Sequence, residues 1–185
     1  MADLKIRLAT GADLPVLRAI MAAAIAENLK PFLPPELIRA SEKVMGLDTT
    51  LVDDGTYWIV FADDEPAGCG GWSRRNTLYG GDHTGGRNAA LLNPAVDAAR
   101  VRAMYTHPSF LRQGIGRLIL DSCEAAARSE GFDRLQLAAT LAGEPLYRAS
   151  GFQEIERFTD GGVPLIRMEK RITKSAWSAA PPKDV

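Results

Sequence analysis

Residues 106–120 read THPSFLRQGIGRLIL, and this stretch decides the fold. Before it, ARVRAMYTH (99–107) has the composition of a strand. After it, Ile115, Leu118, Ile119, Ser122, Cys123 and Ala126 fall on one stripe at helical spacing, and Gly131 ends the run. The reading is a strand, a glycine-bearing turn, and a helix over 115–129. The first amides of a helix have no partner within it and lie at the positive end of its dipole, so such a turn is a ready anion site. Gly114 and Gly116 allow close approach to the backbone and positive φ angles. Arg112 and Arg117 add charge, and phosphates are the expected guests. The plain alternative is a tight turn with solvated arginines.

Two other phosphate motifs fit poorly. A Walker A loop needs Lys followed by Ser or Thr after its last glycine, whereas Gly116 is followed by Arg117 and Leu118. A dinucleotide fingerprint needs a small residue three positions after its second glycine. Ile119 stands there, and its branched side chain would obstruct close helix–strand packing.

Working outward, Ile6–Leu8 reads as a first strand. Thr10 caps a helix that begins near Ala12 and runs through VLRAIMAAAIAENL until Pro31, Pro34 and Pro35. A second helix spans Pro35 to Met45. TYWIVFADD (56–64) and PAGCGGWSRR (66–75) stand at hairpin spacing and form an antiparallel pair. Residues 76–99 are rich in glycine, asparagine and small residues, a long connection of the kind that often carries function. Further on come a strand at 132–140, a short helix at 144–150 ending at Gly151, and a last strand at 163–172. The order β-α-α-β-β-β-α-β-α-β is an α/β pattern, a mixed sheet flanked by helices. Residues 174–185, KSAWSAAPPKDV, read as a loose tail.

At this point MYTHPSFLRQGIGRLIL resembles the acyl-CoA signature of the GNAT superfamily of N-acetyltransferases, and LYRASGF (146–152) resembles its second signature, YxxxGF. The likeness extends over most of the chain. It implies a single-domain α/β fold over residues 1–173 with a mixed, mostly antiparallel sheet, and acetyl-CoA as cosubstrate. It implies that the pyrophosphate is held by the backbone of Leu111, Arg112, Gln113, Gly114, Ile115, Gly116 and Arg117. The pantetheine arm would pair with Met104 and Thr106 where the sheet splays, with Thr140 also on the coenzyme and a backbone N–H near Tyr105 on the thioester carbonyl. Leu111 departs from the family pattern, which usually has Gln or Arg there, so a side-chain contact is lost while the backbone contacts stay.

Acyl transfer from a thioester to an amine needs a neutral amine, a hydrogen-bond donor for the carbonyl oxygen, and a proton for the departing sulfur. The resemblance gives the acid role to Tyr147, a phenol that is protonated at neutral pH; the plain alternative is a half-buried aromatic. The general base is open. His83, in GGDHTGG, titrates in the useful range, but an exposed loop histidine and an Asp or Glu acting through water are equal alternatives, with Asp82 adjacent. Arg74 and Arg75 either read charge on the acceptor or sit at a solvated strand end. His107 is expected to be structural, and Trp58 and Trp72 core or pocket wall.

Composition narrows the rest. The 185 residues suit one domain, 46 % are hydrophobic, and the net charge of −1 favours neither nucleic acid nor an anionic membrane. Two distant cysteines, Cys69 and Cys123, make neither a disulfide framework nor a zinc motif, so no metal is expected. No 18-residue apolar run and no signal layout point to the cytoplasm. The acceptor is a small-molecule or peptide amine of open identity, and the resemblance leaves a homodimer open. The competing functions are a catalytically silent CoA-binding relative and a nucleotide-binding module.

Overall fold

The computed structural model describes residues 2–173; the expected C-terminal tail, residues 174–185, lies outside them. The elements run β1 (Leu4–Leu8), α1 (Leu14–Asn28), α2 (Pro35–Val44), α3 (Thr49–Asp53), β2 (Tyr57–Ala62), β3 (Glu65–Ser73), β4 (Ala99–Thr106), α4 (Ile115–Ser129), β5 (Arg134–Ala139), α5 (Glu144–Ala149), β6 (Gln153–Asp160) and β7 (Val163–Arg171). They build one seven-stranded sheet in the order β1-β2-β3-β4-β5-β7-β6. Only β4 and β5 pair in parallel; every other neighbour is antiparallel. The mixed, mostly antiparallel α/β class read from the sequence holds. Two elements were not foreseen, the short helix α3 and the edge strand β6. Among the described residues no helix is long and apolar enough to cross a membrane.

The sheet has an apolar cluster on each face, as strand alternation requires. On β2, Val60 and Ala62 join Ile115, Ile119, Leu120 and Cys123 of α4 on one face. Tyr57 and Ile59 join Leu17, Ile20 and Ala24 of α1 on the other. The hairpin between β2 and β3 turns at Asp63 and Asp64, both at positive φ (48° and 68°), as a two-residue turn matching strand twist demands.

Two irregularities in the middle of the sheet make room for a site. First, β4 carries a bulge. Its register with β3 shifts between Cys69 and Gly71, so Ala103 and Met104 together face Gly70. Ala103 takes φ 49°, and its carbonyl accepts a 2.6 Å hydrogen bond from the Tyr57 hydroxyl. Gly70 is required opposite: a Cβ there would lie 2.8 Å from Cγ of Met104 and 2.9 Å from Cγ2 of Ile119. Second, β4 and β5 pair only at Ala99–Leu135 and Arg100–Gln136. Past those pairs the two strands have no common register, while β5 stays paired with β7 as far as Ala139. The sheet opens between β4 and β5, and the opening leads toward the turn before α4.

Candidate active site

A cleft of about 790 Å³ fills this opening. Its walls are α1, the bulged part of β4, the turn ahead of α4, the end of β5 with the start of α5, and, at the far end, the C-terminus of α2 with residues 78–80.

The turn is built for an anion. After the 3₁₀ segment Pro108–Phe110, Arg112 takes φ 65° and Gly114, the N-cap of α4, takes φ 87°. No side chain caps the helix. The first helical bond is donated by Leu118 to the Gly114 carbonyl. Among the described residues the amides from Leu111 to Arg117 have no other hydrogen-bond partner outside or ahead of the helix. A Cβ on Gly114 would meet nothing within 4 Å, so the backbone there faces open space. Arg112 and Arg117 are both exposed beside it. Leu111, Arg112, Gly114, Ile115, Gly116 and Arg117 all line the cleft, whereas Gln113 is exposed and does not.

Strand β4 supplies a polar edge. His107 donates its amide to the Ala67 carbonyl, and Tyr105 stands opposite Cys69. Hydrogen-bonded and non-bonded pairs alternate in an antiparallel ladder, so the backbone of Tyr105 is turned toward β3 and that of Thr106 toward the cleft. The Thr106 carbonyl accordingly accepts a 2.8 Å bond from Nδ2 of Asn28, a cleft residue that sequence reasoning missed. The expectation of a backbone N–H near Tyr105 on the thioester carbonyl is narrowed for the same reason, since the Tyr105 amide itself faces β3. By strand parity the backbone of Met104 shares the outward side with that of Thr106. Met104, Tyr105 and Thr106 all line the cleft, as does Thr140, whose hydroxyl accepts from the Gly143 amide.

Tyr147 is held by the geometry that its motif encodes. Gly151 follows α5 at φ 91°, and the Phe152 amide returns to the Tyr147 carbonyl. The Phe152 ring then packs edge-on against Tyr147 at 5.8 Å. Tyr147 is 8 % exposed and lines the cleft. Among the described residues its hydroxyl has one hydrogen-bond partner, the Met104 thioether at 3.7 Å, a weak acceptor that leaves the proton available. Burial, and then the neighbouring Cys123, push the phenol above its ordinary value. It therefore stays protonated across the neutral range.

Other expectations fall outside the cleft. His83 is exposed and is not among the cleft residues; it covers Gly46, where a Cβ would come within 2.6 Å of its Cε1. The His83 expectation finds no geometric support, because Gly46 and its neighbours stand between the imidazole and the cleft. Asp82 is tied to the amide and hydroxyl of Thr49. Arg74 is bidentate on Glu130 and Arg75 bidentate on Asp54, so neither reads an acceptor. His107 accepts from the Ser109 amide, the structural role foreseen. Trp72 is core, edge-on to Phe132. Trp58 packs against the same cluster.

The sequence model of the acetyltransferase (GNAT) family matches residues 20–152, a span that includes the bulge, the turn and Tyr147. The chain belongs to this family. It is 30 % identical over 134 residues to the uncharacterised N-acetyltransferase YsnE of Bacillus subtilis, covering 70 % of this chain and 74 % of that protein. The fold is also that of PaiA N-acetyltransferase from Thermoplasma acidophilum, solved in complex with coenzyme A. That likeness has a TM-score of 0.64 and 16 % identity, covering 91 % of this chain and 99 % of the other. The ribosomal-protein-S18-alanine N-acetyltransferase of Escherichia coli shares the fold with a TM-score of 0.58 and 20 % identity, covering 96 % and 99 % of the two chains. Family membership sets aside the nucleotide-binding module.

Proposed function

We propose that this protein transfers an acetyl group from acetyl-CoA to a primary amine by direct attack. The observation that carries the reading is the run of unpartnered amides from Leu111 to Arg117 at one end of a cleft that has a protonated, buried phenol at its middle. A diphosphate bound to those amides would send its pantetheine arm along the outward-facing backbone of Thr106 and Met104, as an added strand pairs with a sheet edge. That path delivers the thioester beside the Tyr147 hydroxyl. The Met104 amide then serves the carbonyl oxygen as charge grows on it. The amine nitrogen attacks the carbonyl carbon, the C–S bond breaks, and the sulfur takes the phenolic proton.

Release of free thiol from acetyl-CoA, followed with a panel of amines, tests this. Thiol release that requires both acetyl-CoA and an amine is the expected result. Binding of CoA without turnover by any amine identifies a silent CoA-binding relative instead. Titration with CoA, ATP and NAD should give measurable affinity for CoA above the other two.

A further inference from the structure

The cleft continues past the bulge of β4, away from the coenzyme turn. This far half is walled by Val44, Met45, Leu78, Tyr79 and Leu165, which are apolar apart from one phenol. Among the described residues the only ion on its wall is Arg102, 2 % exposed, which donates to the carbonyls of Thr77 and Gly80 and to Asp48 at 3.0 Å. Arg87 approaches the other oxygen of Asp48 at 2.9 Å. Arg87 also lies 3.8 Å from Asp82, so two guanidinium groups and two carboxylates close one network and neither carboxylate is left free for a guest. Among the described residues Glu27 is the one carboxylate lining the cleft; it lies on α1, over half exposed, with both oxygens on Lys30. The other titratable groups on the walls are Tyr105, bonded to Gly46, the acid Tyr147, and Arg112 and Arg117 at the turn. Tyr79 donates to Asp160 at 2.9 Å.

An ammonium ion moved into such a space loses water and gains no free carboxylate. Each of these favours the uncharged amine. The geometry points to an acceptor with an apolar body and a single amino group, taken up as the neutral amine, so that no side chain of the enzyme has to deprotonate an ammonium ion before attack. This rests on the acetyl-transfer reading. The protons balance with Tyr147 alone: the neutral nitrogen attacks, the sulfur leaves with the Tyr147 proton, and the phenolate takes the surplus proton from nitrogen. Acceptors with several charges, such as polyamines and aminoglycosides, are excluded because a second ammonium would be buried unpaired.

The test uses the protein–CoA complex, phenethylamine and phenylalaninamide as apolar acceptors, and spermidine. Calorimetry in buffers of different ionisation enthalpy should show about one proton released per apolar amine bound below that amine's own pKa. With acetyl-CoA, kcat/KM should exceed that for spermidine about a hundredfold or more, since an unpaired buried charge is strongly unfavourable. The rise of kcat/KM with pH should follow the acceptor, lying lower for the α-amine (ordinary value about 8) than for the alkylamine (about 10). Tyr79→Phe should leave both midpoints in place. Leu78→Asp, at a half-buried position, should bring spermidine into use. No proton release, or one midpoint common to both acceptors that moves in Tyr79→Phe, overturns the inference while leaving acetyl transfer intact. Failure of CoA itself to bind overturns the acetyl-transfer reading with it.

Discussion

The Tyr147 hydroxyl stands 3.7 Å from Sδ of Met104, the residue at the bulge of β4. The phenol proposed as the acid and the outward edge of the sheet are thereby fixed against each other. Tyr147→Phe removes the proton and little else, because the thioether is a weak partner and the ring keeps its contact with Phe152. Turnover should fall about 10²–10⁴-fold, the usual worth of a general acid, with CoA affinity nearly unchanged by titration calorimetry. Full activity in this variant removes the acid role.

At Gly114 the φ of 87° is unfavourable for any residue with a Cβ, although space for one exists. Gly114→Ala should lower stability by roughly 1–2 kcal/mol, read from denaturant melts. Gly114→Asp adds a carboxylate beside the free amides, so its CoA affinity should fall well below that of the alanine variant. Equal affinity in the two variants contradicts the anion assignment.

Arg102 and Asp48 clamp residues 77–80 to β4. Burial pushes the Asp48 carboxyl up, but Arg102 and Arg87 together with the Thr50 amide outweigh it and hold the group below its ordinary value. Its contribution to stability is therefore complete above the unfolded value of about 3.9 and is lost as pH falls through the lowered folded value. Asp48→Asn should flatten that acid limb of a stability–pH curve. Arg102→Met should destabilise by about 3–5 kcal/mol, since it leaves a buried carboxylate short of its partner. A melt unchanged from the parent sinks the clamp.

Both cysteines are fully buried, and burial pushes the Cys69 thiol up to about 12 despite the Tyr57 hydroxyl, and raises that of Cys123 as well. Thiolate is the reactive form. A disulfide reagent at pH 8 should find neither thiol in the native protein and both in denaturant. Rapid native labelling of either one contradicts the packing described.

What the sequence made legible follows from where the physics is local. The turn was readable because free helix-end amides, two glycines and two arginines all lie within seven residues. The bounds of α4 were readable from its stripe of Ile115, Ile119 and Cys123. Strand β6 was not, because it is an edge strand whose first five residues, QEIER, are all exposed, so no apolar alternation marks it. Helix α3 has five residues, two of them threonine and one valine, and only its Asp48 cap gave a signal. The bulge was invisible because Ala103 is held at positive φ by Tyr57, forty-six positions away in the chain, and by the missing Cβ of Gly70. His83 attracted attention as an imidazole among glycines, yet the path of a long loop is set by tertiary contacts, here those with Gly46 and Thr49.

Amide hydrogen exchange of Leu111–Arg117, with and without CoA, tests the central claim most directly. These amides have no partner among the described residues, so they should exchange rapidly in the free protein and become protected when CoA binds. Protection that is already present without ligand, or exchange that stays fast at saturating CoA, contradicts the account.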